Sequence, residues 1–494
     1  MEQLKGTGKK ARICSHLHSK MRAFFHTQST PRILLFFIAI FVKLVASLLG
    51  GIGFVWKDTP MMVTGTFIWL IWFILLFLIA MPRTDKFLQN QVHWLKPSAI
   101  VISTLFIIAG LGLLITLTSF GVGVFPAEDS NKKSNELMAS FEGVLSYNDG
   151  TALCHQAIEN LIDGNNPYAM PNIVTATILY DNSYDQVTPL REGEFADIFP
   201  YPSDAQLEQL WQRVSQNPQQ IPPELESKLN YPAGCFILPS IFFLLGIDDF
   251  RIVLLIFVLP ILAYVAWKVP KDKKILFISA VSISLEIWFG IAAGETGSLI
   301  FPFLLLAWIL IKRQLWLSAL FMGIAIATKQ VAWFFIPYYL ILIFRIMDLK
   351  KTLLVVFIVA VIFLAFNLPF IIIDPLLWFT SVMAPVFDDL FPLGVGIITL
   401  VTGGVLIIES PLFFTILELL IGITAIIWYY HNCNRYPHVG PLLAVLPLFF
   451  AWRSLWPYFF YFDIIILAAI LIEDYSIKSP KRLVPVSLFA NRTT

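Results

Sequence analysis

The chain has 494 residues, 57% of them hydrophobic and 14% charged, and its mean hydropathy is +0.76. A soluble domain carries about 25% charged residues, so a single water-soluble core is excluded and lipid is the solvent for most of the chain. The net charge of +1 says nothing about partners; where the charges fall says more.

In chain order, residues 1–32 form a basic tail with Lys5, Lys9, Lys10, Arg12, Lys20, Arg22 and Arg32. Lys and Arg flank the cytoplasmic ends of spans, so this tail is expected inside. The first apolar run, from Ile33 to Leu49, has no small-residue cleavage pattern after it and reads as a retained anchor. Runs long enough to cross hydrocarbon, about 20 residues, fall near 33–51, 61–81, 98–120, 251–268, 274–291, 298–312, 315–329, 331–346, 352–373, 412–430, 440–452 and 456–473. Three of these occupy 33–120. Arg83, Lys86 and Lys96 place the second loop inside, and the third span then puts residues 121–250 outside. Segment 121–232 holds 16 acidic and 5 basic side chains.

The run Ala233–Ile247 is short for a span. Because Lys268, Lys271, Lys273 and Lys274 ask for the inside, it reads as an interfacial helix on the outer leaflet. Pro392–Ile408, with Gly394, Gly396, Gly403 and Gly404, reads as a re-entrant or interfacial segment on the same side. Residues 251–475 form the membrane core. The tail 476–494, with Lys478, Lys481 and Arg482, returns to the cytoplasm, where the sequon at Asn491 is out of reach of glycosylation. The expectation is an all-α polytopic membrane protein of about twelve transmembrane helices, with an outer mixed loop domain and interfacial helices.

Within the outer segment, 149–163 patterns as a short amphipathic helix, with Asn148 or Asp149 at its start and Gly164 at its end. Asn165-Asn166-Pro167-Tyr168 is a turn, and a second helix near 204–216 opens on Ser203. Four cysteines are too few for a disulfide framework; Cys154 and Cys235 permit one bridge that nothing in their spacing demands. No His/Cys cluster points to zinc, no Gly-rich loop to nucleotide phosphates, and no basic patch to nucleic acid.

One set of motifs resembles a known family. Asp149 followed by a helix ending in Gly164-Asn165-Asn166-Pro167-Tyr168 is similar to a recurring opening of GT-C class glycosyltransferases. Tyr231-Pro232-Ala233-Gly234 and Leu245-Gly246 resemble the stretch that follows it. Gly294-Glu295-Thr296-Gly297 is similar to a turn between two core spans. Gly323-Ile-Ala-Ile-Ala-Thr-Lys329-Gln330 with Pro337 resembles a later span. Their order, over roughly residues 100–475, is most similar to the polyprenol-phosphate-mannose-dependent family 87 enzymes; two extra N-terminal spans have no counterpart. The resemblance implies a hexosyltransferase, mannosyltransferase-like, of a bacterial-type plasma membrane. It would pass a sugar from a polyprenyl-phosphate donor to a glycan or glycolipid acceptor hydroxyl on the outer face. It leaves a divalent cation held by carboxylates open.

Inverting transfer needs a carboxylate base and a stabilised phosphate leaving group. Asp149 is the expected base, against the plainer reading of a helix cap in a solvated loop; Asp163 and Glu159 stand in reserve. Lys329, at the outer end of its span, is expected to meet the donor phosphate or else to snorkel. Arg453 offers bidentate phosphate recognition or, beside Trp452 and Trp456, an aromatic-belt anchor. Arg251 is a third outer cation, with Asp248 and Asp249 at hand to pair with it. Glu295 could take a sugar hydroxyl or a metal, or be a solvated turn residue. His155 is a further candidate contact. Tyr168 and Tyr231, with Tyr147, could stack on sugar rings, although outer aromatics are expected in any case. Asp463, inside the last span, is expected to pack inward. The competing class is a polytopic lipid or sugar transporter or flippase, which would show repeats and broken helices; no repeat is visible. A third reading is a non-catalytic assembly subunit that has kept the fold.

Overall fold

The computed structural model describes residues 30–91, 147–179, 184–271 and 273–473. The expected third span at 98–120, the basic tail before residue 30 and the C-terminal tail from 474 lie outside the described residues. Within them the chain is mostly helical, with little strand.

An antiparallel hairpin opens the fold, α1 (Thr30–Val55) and α2 (Thr59–Ala80). Asp58 caps α2 by accepting from the Met61 N–H at 2.9 Å. The two helices touch through small residues, as lipid-embedded pairs do: a Cβ on Gly65 would lie 2.8 Å from the Gly50 nitrogen. At the far end Arg32 pairs with Asp85 of α3 (Arg83–Gln91) at 2.5 Å.

The segment expected outside the membrane folds as α4 (Asp149–Ile162), α5 (Ile173–Leu179), α6 (Asp204–Ser215) and α7 (Gly234–Phe243). Asn148 is the cap of α4 and Asp149 its first residue. Gly164 closes the turn with φ +78°, the left-handed conformation a glycine adopts without cost. Ser203 and Gln206 form a capping box on α6. Cys154 and Cys235 are both buried and free, so no bridge joins them. The helix α7 has ten residues, fewer than the run that suggested it. Its Gly234 N–H meets the Ala327 carbonyl at 2.7 Å, while Ile241, Leu244 and Leu245 at its other end are exposed.

The core follows as α8 (Phe250–Lys268), α9 (Lys274–Ile283), α10 (Leu285–Ala292), α11 (Gly297–Leu310), α12 (Leu315–Ile326), α13 (Phe335–Ile346), α14 (Leu349–Ile373), α15 (Pro375–Val382), α16 (Ala384–Phe387), α17 (Thr399–Thr402), α18 (Pro411–Asn432), α19 (Gly440–Val445) and α20 (Phe462–Glu473). Among the described residues six helical stretches are long and apolar enough to cross a membrane, or seven if the bent pair α9–α10 is one span. The sequence reading counts twelve. The difference lies in continuous apolar runs whose helices are interrupted. Gly297–Leu310, Leu315–Ile326, Gln330–Ile346 and Pro437–Phe450 are all shorter than 18 residues. The last of these is split by Pro437, Pro441 and Pro447 into a 3₁₀ turn, α19 and a second 3₁₀ turn.

Pro392–Ile408 holds one short helix, α17, in an otherwise irregular stretch. Leu393–Gly394 (β1) pairs in parallel with Arg453–Ser454 (β2), and the Thr66 hydroxyl of α2 donates to the Val395 carbonyl at 3.1 Å. Its glycines have a steric purpose. A Cβ on Gly394 would meet the Ser454 carbonyl at 2.0 Å, and one on Gly396 the Phe449 carbonyl at 2.1 Å.

One ion cluster lies inside the helices. Lys43 of α1, with no exposed surface, donates to Asp463 Oδ2 at 3.2 Å and to the Phe460 carbonyl at 3.0 Å. Glu286 Oε2 stands 3.9 Å from the same ammonium. Asp463 does pack inward, as expected; its partner Lys43 sits in a run whose apolar neighbours hide it.

Candidate active site

The site is assembled at one end of the bundle, where α4 meets the α10–α11 turn, the residues after α12, and β2. Asp149 is held from two sides. The Gly150 N–H donates to Oδ1 at 2.6 Å, and the Thr188 hydroxyl donates to Oδ2 in a short hydrogen bond. Thr188 is itself fixed by backbone: its carbonyl accepts from the Glu226 N–H at 2.9 Å beside an antiparallel bridge between Pro189 and Leu225. Burial pushes the Asp149 carboxyl above the usual carboxylate range. The two donors and the Arg453 charge pull it back, and Glu295 pushes it up again.

Glu295 and Lys329 form a buried pair at 2.6 Å, each about 5% exposed. The Lys329 ammonium also donates to the Thr296 hydroxyl at 2.7 Å, and Asn148 Nδ2 donates to Glu295 Oε2 at 2.7 Å. The N-cap of α4 therefore touches the turn directly, and the Thr151 hydroxyl donates to the Gly294 carbonyl at 2.9 Å. Burial alone would raise the Glu295 carboxyl; the Lys329 charge, with the Gly297 and Asn148 donors, holds it below the usual range. Tyr231 lies with its ring 5.1 Å from the Lys329 ammonium. It reaches that place because residue 150 is glycine: a Cβ there would lie 2.4 Å from the Tyr231 hydroxyl.

Arg453 is different. Its guanidinium makes one long contact, to the Phe391 carbonyl at 3.4 Å, and among the described residues no carboxylate lies within ion-pair distance. Its charge acts on Asp149, Tyr201 and Tyr458. It is a half-buried cation facing a carboxylate and two phenols, with its donors largely unspent.

The remaining expected contacts sit elsewhere in this neighbourhood. Tyr168 is 2% exposed, packs edge-on against Phe236 and Phe370, and gives its hydroxyl to the Tyr231 carbonyl at 2.9 Å. That makes it a buttress for Tyr231, not a surface for a sugar. Arg251 is bound to Asp249 at 2.7 Å at the start of α8, over the Tyr147 ring. The Tyr147 hydroxyl accepts from the Phe250 N–H at 2.9 Å. His155 is buried against Phe243, with ring centroids 4.6 Å apart, and burial pulls it down to about 4. It is therefore neutral at pH 7 and no partner for an anion. Asp163 ends α4 as its C-cap and Glu159 faces His155 at 3.8 Å.

Sequence reading missed Thr188, Asn148, Tyr201 and Tyr458. Thr188 carries no motif; only the backbone bridge to the 224–226 stretch brings it to Asp149. Asn148 was weighed as a cap, and its second bond to Glu295 depends on the tertiary contact.

The donor set does not suit a divalent cation. Both Glu295 oxygens are taken by nitrogen donors and both Asp149 oxygens by hydrogen bonds, and among the described residues no group of three His, Cys, Asp or Glu side chains could hold a metal. No protein-family model, curated protein or solved structure matches the chain.

Proposed function

We propose that this protein is a membrane glycosyltransferase that moves a sugar, mannose-like hexose favoured, from a polyprenyl-phosphate donor to an acceptor hydroxyl on the outer side of the membrane. The observation that carries the reading is the pairing of Asp149, a carboxylate oriented by two donors, with Arg453, a cation that has no carboxylate partner among the described residues. In this scheme Asp149 takes the acceptor hydroxyl proton as that oxygen bonds to the anomeric carbon from the face opposite the phosphate. The carbon–oxygen bond to phosphate breaks, and its electron pair leaves with the polyprenyl phosphate. Arg453 stabilises the charge that develops on the leaving group. Lys329 is committed to Glu295, and it acts by holding Tyr231 and the 294–297 turn in place rather than by meeting the phosphate alone.

The test is sugar transfer by the purified full chain with a panel of polyprenyl-phosphate sugars, comparing wild type with Asp149→Asn. One donor should be consumed, and the variant should be about a hundredfold slower or worse while unfolding at the wild-type temperature. Transfer that survives the substitution sinks the assignment of the base.

A second reading, a lipid or sugar transporter or flippase, has one observation in its favour. The α9–α10 pair is broken by 52° next to the Lys43–Asp463–Glu286 cluster, and broken helices beside buried charges are a feature of transporters. Movement of labelled polyprenyl-phosphate sugar across a vesicle with no transfer to any acceptor would favour it.

A further inference from the structure

Helix α11 starts at the Glu295–Thr296 turn and ends, about 20 Å away by its rise of 1.5 Å per residue, beside a cavity of ≈ 160 Å³ at the opposite end of the bundle. This volume is about ten times what one water needs. Four ionisable side chains line it, Lys312, Arg313, His438 and Glu473, against an apolar wall that includes Trp308 and Leu342.

The carboxylate is already spent. Lys312 Nζ holds Glu473 Oε1 at 2.6 Å, and His438 Nε2 holds Oε2 at 2.8 Å. The other two polar groups are not. Among the described residues Arg313 reaches only the Ile472 carbonyl, at 3.4 Å. His438 is 7% exposed, and among the described residues its Nδ1 has no hydrogen-bond partner. With Nε2 directed to Glu473, Nδ1 is the ring nitrogen left to a ligand in the cavity. The lining charge sums to +1 from Lys312, Arg313 and Glu473. The His438 ring is the buried polar group, while Arg313 and Lys312 are exposed at the mouth of the cavity; a polar ligand that reaches a buried ring past two cations is an anionic one.

We propose that this cavity binds a phosphate group through Arg313 and the His438 Nδ1 edge, with Lys312, which stays on Glu473, adding positive charge at the mouth. The chemistry is that of a phosphate mono- or diester, supplied either by an anionic lipid headgroup of the adjoining leaflet or by a soluble phosphate compound. Basic pockets between helices at the face rich in Lys and Arg are where such headgroups bind. The site is separate from Asp149, and it stands whether or not the transferase reading does.

Binding is measured on the purified full chain in two arms. Inorganic phosphate is titrated by calorimetry in detergent, and phosphatidylglycerol is counted by native mass spectrometry against phosphatidylcholine. The variants are Arg313→Gln, His438→Gln and, as a control cation at the same end of the bundle, Lys268→Gln. Arg313 lies outside the Glu473 ion pairs, so its replacement leaves the fold intact, and the unfolding temperature checks this. The expected result is saturable binding that weakens about tenfold in Arg313→Gln, the loss of one charge-assisted hydrogen bond, with Lys268→Gln unchanged. Phosphatidylglycerol that displaces phosphate identifies the lipid source; phosphate binding that phosphatidylglycerol does not displace identifies the soluble one. Both support the site. It is overturned if neither probe saturates, or if Lys268→Gln weakens binding as much as Arg313→Gln does, which would mean a diffuse field and no site.

Discussion

Replacing Lys43 by methionine leaves two carboxylates inside the helix bundle without their countercharge. Asp463 and Glu286 are 1% and 3% exposed, and the ammonium that serves both lies at 3.2 and 3.9 Å. Methionine keeps the length of the lysine stem and its packing under Trp72, whose ring is 5.3 Å from the nitrogen. The loss is therefore electrostatic. Removing one partner of a buried pair costs about 3–5 kcal/mol, whereas replacing the whole group by apolar or neutral side chains is often neutral or better. The single variant Lys43→Met is expected to lose about 3–5 kcal/mol. The triple variant Lys43→Met, Asp463→Leu, Glu286→Gln is expected to recover most of it. Cys154, Cys235 and Cys433 are all buried, so in a Cys14→Ser background a thiol-reactive fluorophore reads unfolding in micelles without added labels. If Lys43→Met unfolds with the wild type, the ammonium is not the countercharge that docks α1 onto α20. If the triple variant is as unstable as the single one, the damage comes from packing and the charge argument fails.

Three further outcomes follow from the same geometry. Thr188→Val removes a hydrogen bond that lowers the Asp149 carboxyl. A base works deprotonated, so the acid limb of the transfer rate should move up in pH in a kcat/KM profile; an unmoved limb would mean that Asp149 does not titrate in the reaction. Burial, with Asp388 beside it, raises Glu226 to about 8 from an ordinary 4.5. Its contribution to stability is therefore complete below about pH 4.5 and lost as the pH rises through about 8, so thermal unfolding should fall across that window and Glu226→Gln should flatten the slope. Gly394→Ala places a Cβ 2.0 Å from the Ser454 carbonyl at a backbone φ of +135°, which must push β2 and Arg453 aside. The KM for the lipid donor should rise about tenfold, as it would on losing one charge-assisted hydrogen bond, and a donor KM equal to that of wild type would show that Arg453 does not depend on this strand pairing.

The local signals in the sequence were the readable ones. A cap followed by an amphipathic run and a glycine marked α4 to within a residue, and Ser203 marked α6, because capping and the glycine turn act over three or four residues. The long apolar helices α1, α2, α8, α14 and α18 were equally plain. Hydropathy could not tell a continuous helix from an interrupted one of the same composition. Residues 440–452 read as a span, yet prolines at 441 and 447 and the 3₁₀ turn at 437–439 break the helix. Nor could it assign a purpose to Gly394 and Gly396, which mark a re-entrant or interfacial segment in the sequence and in the fold make room for the carbonyls of Ser454 and Phe449. Thr188 was invisible because a threonine 39 residues from Asp149 has no periodic relation to it.

Cations in this chain sort by what they are already bound to, and that decides which of them is free to meet a ligand. Lys43 has two carboxylates, Lys329 has Glu295 and a threonine hydroxyl, and Arg251 has Asp249. A ligand that used any of these would first have to displace a buried or close-held carboxylate and leave it stranded, at a cost of several kcal/mol. Arg453 and Arg313 are not so held, since among the described residues each hydrogen-bonds only a backbone carbonyl, at 3.4 Å. The sequence reading ranked Lys329 and Arg453 together because both sit at span ends on the same side. The structure separates them by their partners. Arg453 lies where Asp149 feels its charge, and a phosphate arriving there gains two N–H donors without breaking an existing ion pair.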